Sequence, residues 1–187
     1  MKVYIIGTGL IGGSFALDIQ QEYPEAIIYG VDLNTQHIKE ALECGVIHEE
    51  ASFEDIQNAE VVFLTIPVDV ALSVLPKVLD IIQDNALVID VGSTKQRICE
   101  VVKEHPKRRN FLAAHPIAGT EFSGPKAALR GLYKQKTNII CEVEKNILSV
   151  TRIQCITLRR EKIGLQKLFS DVTMGKDERF LPWLTFI

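Results

Sequence analysis

The chain has 187 residues, 47% of them hydrophobic and 24% charged, with a formal net charge of −3 at pH 7. That composition supports one substantial core plus an appendage and excludes a disordered chain. With no basic face in the first two thirds, the charge balance argues against a nucleic-acid partner and leaves small anionic ligands open.

The opening MKVYIIG is too short an apolar stretch for a signal peptide or a membrane span, so a cytoplasmic protein without membrane association is expected. Lys2 to Ile6 are apolar and β-favouring, and the glycine cluster after them opens a helix from Ile11 to Gln21. A second strand, Ala26 to Val31, ends in Asp32, and Thr35 to Cys44 reads as a helix closed by Gly45. The unit then repeats: strand Val61 to Ile66, helix Val70 to Ile82, strand Ala86 to Val91, helix Lys95 to Glu104, strand Phe111 to Ala114. Strands apolar on both faces, alternating with helices, predict an α/β fold with a doubly wound, mostly parallel sheet of the Rossmann type.

Thr137 to Val143 is expected to add one more strand, and beyond Asn146 the character changes. Residues 147–187 carry seven lysines and arginines against four aspartates and glutamates, reversing the acidic excess of residues 1–146. The expectation is a nucleotide-binding domain over 1–146 and a short, atypical extension over 147–187. In that extension Ile163 to Phe169 suits a helix, and FLPWLTFI is an apolar terminus interrupted by a proline. Cys44, Cys99, Cys141 and Cys155 are scattered without a CxxC pair, so they read as reduced, packed thiols and no metal site is expected.

GTGLIGGS places Gly7, Gly9 and Gly12 in GxGxxG spacing directly after a strand and at the mouth of a helix. The spacing supplies a tight turn, a close backbone approach to a pyrophosphate, and close helix–strand packing, with helix N-terminal amides facing the phosphates. Gly7, Thr8, Gly9, Leu10, Ile11 and Gly12 are therefore candidate cofactor contacts. Asp32 suits the ribose hydroxyls and repels a 2′-phosphate, which points to NAD over NADP; it also suits an N-cap for the next helix.

Three further strand ends converge on the same sheet edge. Thr65, Ile66, Pro67 and Val68 mark an exit from the sheet, because proline cannot continue a central ladder. Gly92 and then Ser93, Thr94 and Lys95 follow the next strand, as candidate cofactor and substrate contacts respectively. His115, before Pro116, ends the strand after that, with Glu121 on the loop beyond. A neutral imidazole suits removal of a hydroxyl proton during hydride transfer, so His115 is the candidate base, Ser93 a candidate to orient the hydroxyl, and Glu121 a third catalytic candidate. His37, His48 and His105 read as solvated.

GTGLIGGSFAL, FLTIPVD, VIDVGSTK, AAHPIAGTEFSGP and KTNIICEVEK, in this order, resemble the N-terminal domain of the prephenate dehydrogenases over about residues 1–146. The resemblance implies NAD-dependent oxidative decarboxylation of prephenate to 4-hydroxyphenylpyruvate in tyrosine biosynthesis. His115 matches the family's catalytic histidine, Ser93 the serine near the substrate hydroxyl, and Glu121 an acidic residue of the active-site loop. It also implies a homodimer built on a following helical domain, which residues 147–187 do not resemble; a truncated or frame-shifted C-terminus is expected, with impaired activity. Arogenate dehydrogenase is the close runner-up, and nothing in residues 1–146 separates the two. A non-catalytic NAD-binding module remains as an alternative of another class, and a 3-hydroxyacid dehydrogenase lacks its lysine on a long following helix.

Overall fold

The computed structural model describes residues 1–142, 145 and 171–174. Its strands are β1 (Lys2–Ile6), β2 (Ile27–Val31), β3 (Glu49–Glu50), β4 (Val61–Leu64), β5 (Leu87–Asp90), β6 (Phe111–Pro116), β7 (Thr137–Cys141) and β8 (Asp171–Met174), ordered β3-β2-β1-β4-β5-β6-β7-β8 in one sheet. From β3 to β6 every pairing is parallel, β7 runs antiparallel to β6, and β8 pairs parallel with β7. The long helices are α1 (Leu10–Glu22), α2 (Thr35–Glu43) and α3 (Val68–Ile81), followed by the shorter α4 (Gln96–Val101). Strand order reverses between β1 and β4, the switch point at which ligands bind in open α/β sheets.

Period-two alternation explains why the strands are apolar throughout. Along β1, Val3 and Ile5 join one core with Phe15, Ile28, Phe63 and Ile89, whereas Tyr4 and Ile6 join the other with Val62, Leu75, Val88 and Phe111. Helix α1 covers the first face and α3 the second.

The loop after β6 packs in a way its composition conceals. Residues 125–136 fold back over α1 as a strap: the Leu129 amide donates to Ser14 Oγ (3.0 Å), the Gly131 amide to Asp18 Oδ1 (2.6 Å), and Tyr133 Oη to the Ile11 carbonyl (2.8 Å). The Tyr133 ring stacks on Phe15 at 3.9 Å between centroids, and Phe15 stacks in turn on Phe63 of β4. Tyr133→Ala is expected to destabilise the chain by roughly 3–5 kcal/mol, as for other buried aromatics. Tyr133→Phe should cost only about 1 kcal/mol, because it keeps the stack and loses one hydrogen bond. Equal urea midpoints for the two variants would show that the ring does not carry the strap.

Two of the expectations that change concern the β6–β8 edge of the sheet. Strand β6 does not stop at Ala114: His115 pairs with Ile139 and Pro116 with Asn138 of β7. The Ile117 amide donates to the Thr137 carbonyl at 2.8 Å, so Pro116 falls in a non-hydrogen-bonded pair and its nitrogen points away from β7. On that other side β5 has already ended, with Asp90 opposite Ala113, so no ladder bond is lost. The second change is β8, which the sequence reading of the extension did not contain; the helix expected at 163–169 and the apolar terminus lie outside the described residues.

Candidate functional site

The glycine loop follows β1 at the switch point. Gly7 has φ +94°, a left-handed conformation, and a side chain there would meet Ile66 Cγ2 and the Thr65 carbonyl oxygen, each at 2.8 Å. A Cβ on Gly12 would lie 2.2 Å from the Gly7 carbonyl oxygen and 2.5 Å from Thr65 Oγ1, so the absence of a side chain is what lets α1 start against the ends of β1 and β4. Gly9 differs from both. A Cβ there would have nothing within 4 Å, which leaves the backbone open to an approaching group.

Gly9 is also the N-cap of α1 and provides no side-chain acceptor, so the first-turn amides of Leu10, Ile11 and Gly12 have no intrahelical partner. Donors at the open end of a thirteen-residue helix, approached over a bare glycine, fit a pyrophosphate. Thr8 has a different role. Buried completely, it donates to Asp32 Oδ2 from its amide (2.9 Å) and its hydroxyl (3.1 Å), which ties the loop to the end of β2. Asp32 Oδ1 accepts from the Asn34 amide at 2.9 Å, and the N-cap of α2 is Asn34. His37 Nδ1 lies 3.5 Å from Asp32 Oδ2, so this histidine is not simply solvated.

His48 and His105 also have structural partners. His48 Nδ1 accepts from the Ile28 amide at 2.9 Å, and His105 Nε2 sits 3.2 Å from Asp80 Oδ1.

Thr65 donates its hydroxyl to the carbonyls of Ile6 (2.9 Å) and Gly7 (2.6 Å), locking the exit of β4 to the glycine loop. Ile66 and Val68 are partly exposed, Pro67 is exposed, and Pro67 is the N-cap of α3. A side chain on Gly92 would come within 3.0 Å of Val68 Cγ2, so the exits of β4 and β5 are neighbours.

Beyond β5 the structure departs from expectation at Lys95. Its side chain is 1% exposed and forms an ion pair with Asp90, which is equally buried, instead of presenting its ammonium to a ligand. Two buried charges must pair, and the nearest carboxylate is five residues back, at the end of β5. Asp90 is the residue beside the candidate site that sequence reasoning missed. Its signal was an acid ending an otherwise apolar strand in VIDVGSTK, five residues before a lysine.

His115 is half-buried, with a buried Nδ1 that has no partner. Burial, and then the charge of Lys95, push the imidazole below its ordinary pKa; the nearby Val91 backbone and the charge of Asp90 oppose that shift. The imidazole is neutral near pH 7 and able to accept a proton. Ser93 and Thr94 are half-exposed on the loop between Asp90 and Lys95, and the Ser93 hydroxyl has no hydrogen bond among the described residues. Glu121 stands apart: it is exposed on the loop after β6 and pairs with no described residue. No group of three or more potential metal ligands occurs among the described residues. None of their helices is long and apolar enough to cross a membrane.

The family model for the nucleotide-binding domain of prephenate dehydrogenase matches residues 15–164. The chain belongs to the prephenate dehydrogenase family. It is 33% identical over 147 residues to a prephenate dehydrogenase of Bacillus subtilis, across 76% of this chain and 40% of that protein. Among solved structures, prephenate dehydrogenase from Aquifex aeolicus in complex with hydroxyphenyl propionate and NAD+ superposes with a TM-score of 0.80 at 27% identity. That match covers 94% of this chain and 59% of the other. An arogenate dehydrogenase from Synechocystis shares the fold with a TM-score of 0.77 at 24% identity, over 94% of this chain and 59% of its own. The chain thus spans about two fifths of the length of the curated relative and about three fifths of the solved ones.

Proposed function

We propose that the chain binds NAD at the glycine loop and performs the oxidative decarboxylation of prephenate. The observation that carries this reading is His115, a half-buried imidazole held neutral on the same sheet edge as the open amides of α1. Gly7 to Gly12 would take the pyrophosphate and Asp32 the ribose hydroxyls, with Thr65 to Val68 and Gly92 lining the crevice. Bound NAD supplies the hydride acceptor.

His115 takes the proton of the ring hydroxyl as hydride leaves the same carbon. Loss of carbon dioxide then makes the ring aromatic, and the proton returns to what is now a phenol oxygen. The protein therefore needs a transient proton carrier and an oriented hydroxyl, for which Ser93 is placed on the adjoining loop. Thr94 would contact substrate from the same loop, Lys95 acts from behind it, and Glu121 would reach the substrate from the rim. The residues proposed to bind the nucleotide all lie within 1–146.

Calorimetry with NAD and NADP tests the first step. NADP is expected to bind at least about tenfold more weakly, a difference of ~1.4 kcal/mol, because its 2′-phosphate meets Asp32. NADH formation with prephenate and with arogenate tests the second. NAD binding without turnover on either would leave a nucleotide-binding module, and failure to bind either nucleotide would remove the whole reading.

A further inference from the structure

We infer that Asp90 and Lys95 are a positioning couple for His115: the pair closes the loop between β5 and α4 and sets two opposite charges beside the imidazole. The inference rests on the proposed role of His115 as proton carrier and adds two residues that act through it.

The pair joins both ends of that loop. Lys95 Nζ reaches the carboxylate of Asp90 and lies 3.4 Å from its backbone carbonyl oxygen, and the Gly92 amide donates to Asp90 Oδ1 at 3.3 Å. Three interactions thus converge on the residue where β5 ends, and the four residues 91–94 between the partners have little freedom left. Asp90 stands level with Ala113 of β6, two residues before His115 and on the same face of the sheet, and Ser93 carries a hydroxyl with no hydrogen bond among the described residues.

A purely structural reason for the pair is weak. Each ion is 1% exposed, and taking a carboxylate and an ammonium out of water costs several kcal/mol per ion, which their attraction often fails to recover. The surroundings would accept apolar replacements: Val88, Ile98, Cys99 and Val102 belong to the same core face. What an apolar pair would lack is charge beside the imidazole. Lys95 and Asp90 both act on His115, in opposite senses, with burial and the cation favouring the neutral ring.

Other titratable groups leave this control to the pair. Cys99 on α4 and Cys141 on β7 adjoin Lys95, but burial pushes the Cys99 thiol up to about 12 and raises Cys141, so both are uncharged near pH 7. Arg108 is paired with Glu142 at 2.7 Å, beside Cys99.

The test follows the His115 ring by NMR titration of the 187-residue chain, its signal assigned by its absence from a His115→Asn variant. Lys95→Met is expected to raise the His115 pKa, Asp90→Asn to lower it, and Lys95→Arg to leave it near the wild-type value. A scaffold without electrostatic coupling would move the first two in the same direction or not at all, and either result overturns the inference. Should the single variants fail to fold, the uncharged Asp90→Asn/Lys95→Met protein decides. Its His115 pKa is expected above wild type, since the cation has the larger effect, and an unchanged value overturns the inference. NADH formation on the same proteins separates this from the proposed function. Opposite shifts in a chain without turnover would leave the coupling standing and remove the catalytic role, whereas an active chain with an unmoved imidazole would do the reverse.

Discussion

Gly12→Ala is expected to destabilise the chain by roughly 3 kcal/mol and to abolish measurable NAD binding. The added Cβ would sit 2.2 Å from the Gly7 carbonyl oxygen, 2.5 Å from Thr65 Oγ1 and 2.7 Å from Ile5 Cγ2. Two of these belong to buried β1 and the turn that follows it, and Thr65 is fixed by a hydroxyl shared between the Ile6 carbonyl of β1 and the Gly7 carbonyl of that turn. Relief requires α1 to move off the sheet, and the strap opposes this from the other side through Ser14, Asp18 and the Tyr133–Phe15 stack. Overpacking between two immobile layers falls at or above the upper end of the usual 1–3 kcal/mol for an inserted methyl group. Gly9→Ala supplies the contrast: nothing lies within 4 Å of its Cβ, so the urea midpoint should hardly change. Its Cβ would stand where a pyrophosphate must approach, so NAD affinity should fall without loss of stability. A Gly12→Ala protein with a wild-type urea midpoint would refute the packing account, and a Gly9→Ala protein with unaltered affinity would move the phosphates away from the loop.

What made the first half of the fold legible was agreement between independent local signals. Strand residues apolar on both faces, glycines at fixed offsets and an acid ending the second strand all describe one βαβ unit, and the structure places β1, α1 and β2 within a residue of the expected bounds. Where the reading failed, a distant partner decided. Pro116 suggested a strand end because a central strand needs every amide, yet β5 is already over at that height and β7, arriving more than twenty residues later, pairs on the side where proline loses nothing. Residues 125–136 carry no local signal of the strap, because their partners on α1 lie more than a hundred residues earlier. Lys95 looked available because five residues from an aspartate is neither a helical nor a strand interval, and only the turn between β5 and α4 brings the two together. The four residues of β8 are too few to carry a period of their own.

His115→Asn should lower turnover by about 10²- to 10⁴-fold, the usual contribution of a positioned acid–base group, while NAD affinity stays at the wild-type value. Asparagine keeps a polar group of similar reach at the end of β6 but cannot carry a proton at neutral pH, so the substitution separates proton transfer from shape. The direction of the pH dependence follows from the ring's surroundings. Burial and Lys95 depress its pKa, so the active neutral form persists below the ordinary value of 6.5, and the acid limb of kcat/KM should lie below that of an unperturbed histidine. The same shift acts on folding. An unfolded chain binds this proton at higher pH than the folded one, so His115's contribution to stability is present above pH 6.5 and is lost as pH falls through the depressed folded pKa. His115→Asn should therefore remove both the acid limb of the rate profile and this part of the acid destabilisation. Rate and urea profiles measured on one buffer series check the two together. An acid limb that survives in the asparagine variant would assign the base to another group, and Glu121, exposed on the adjoining loop, would be the next residue to replace.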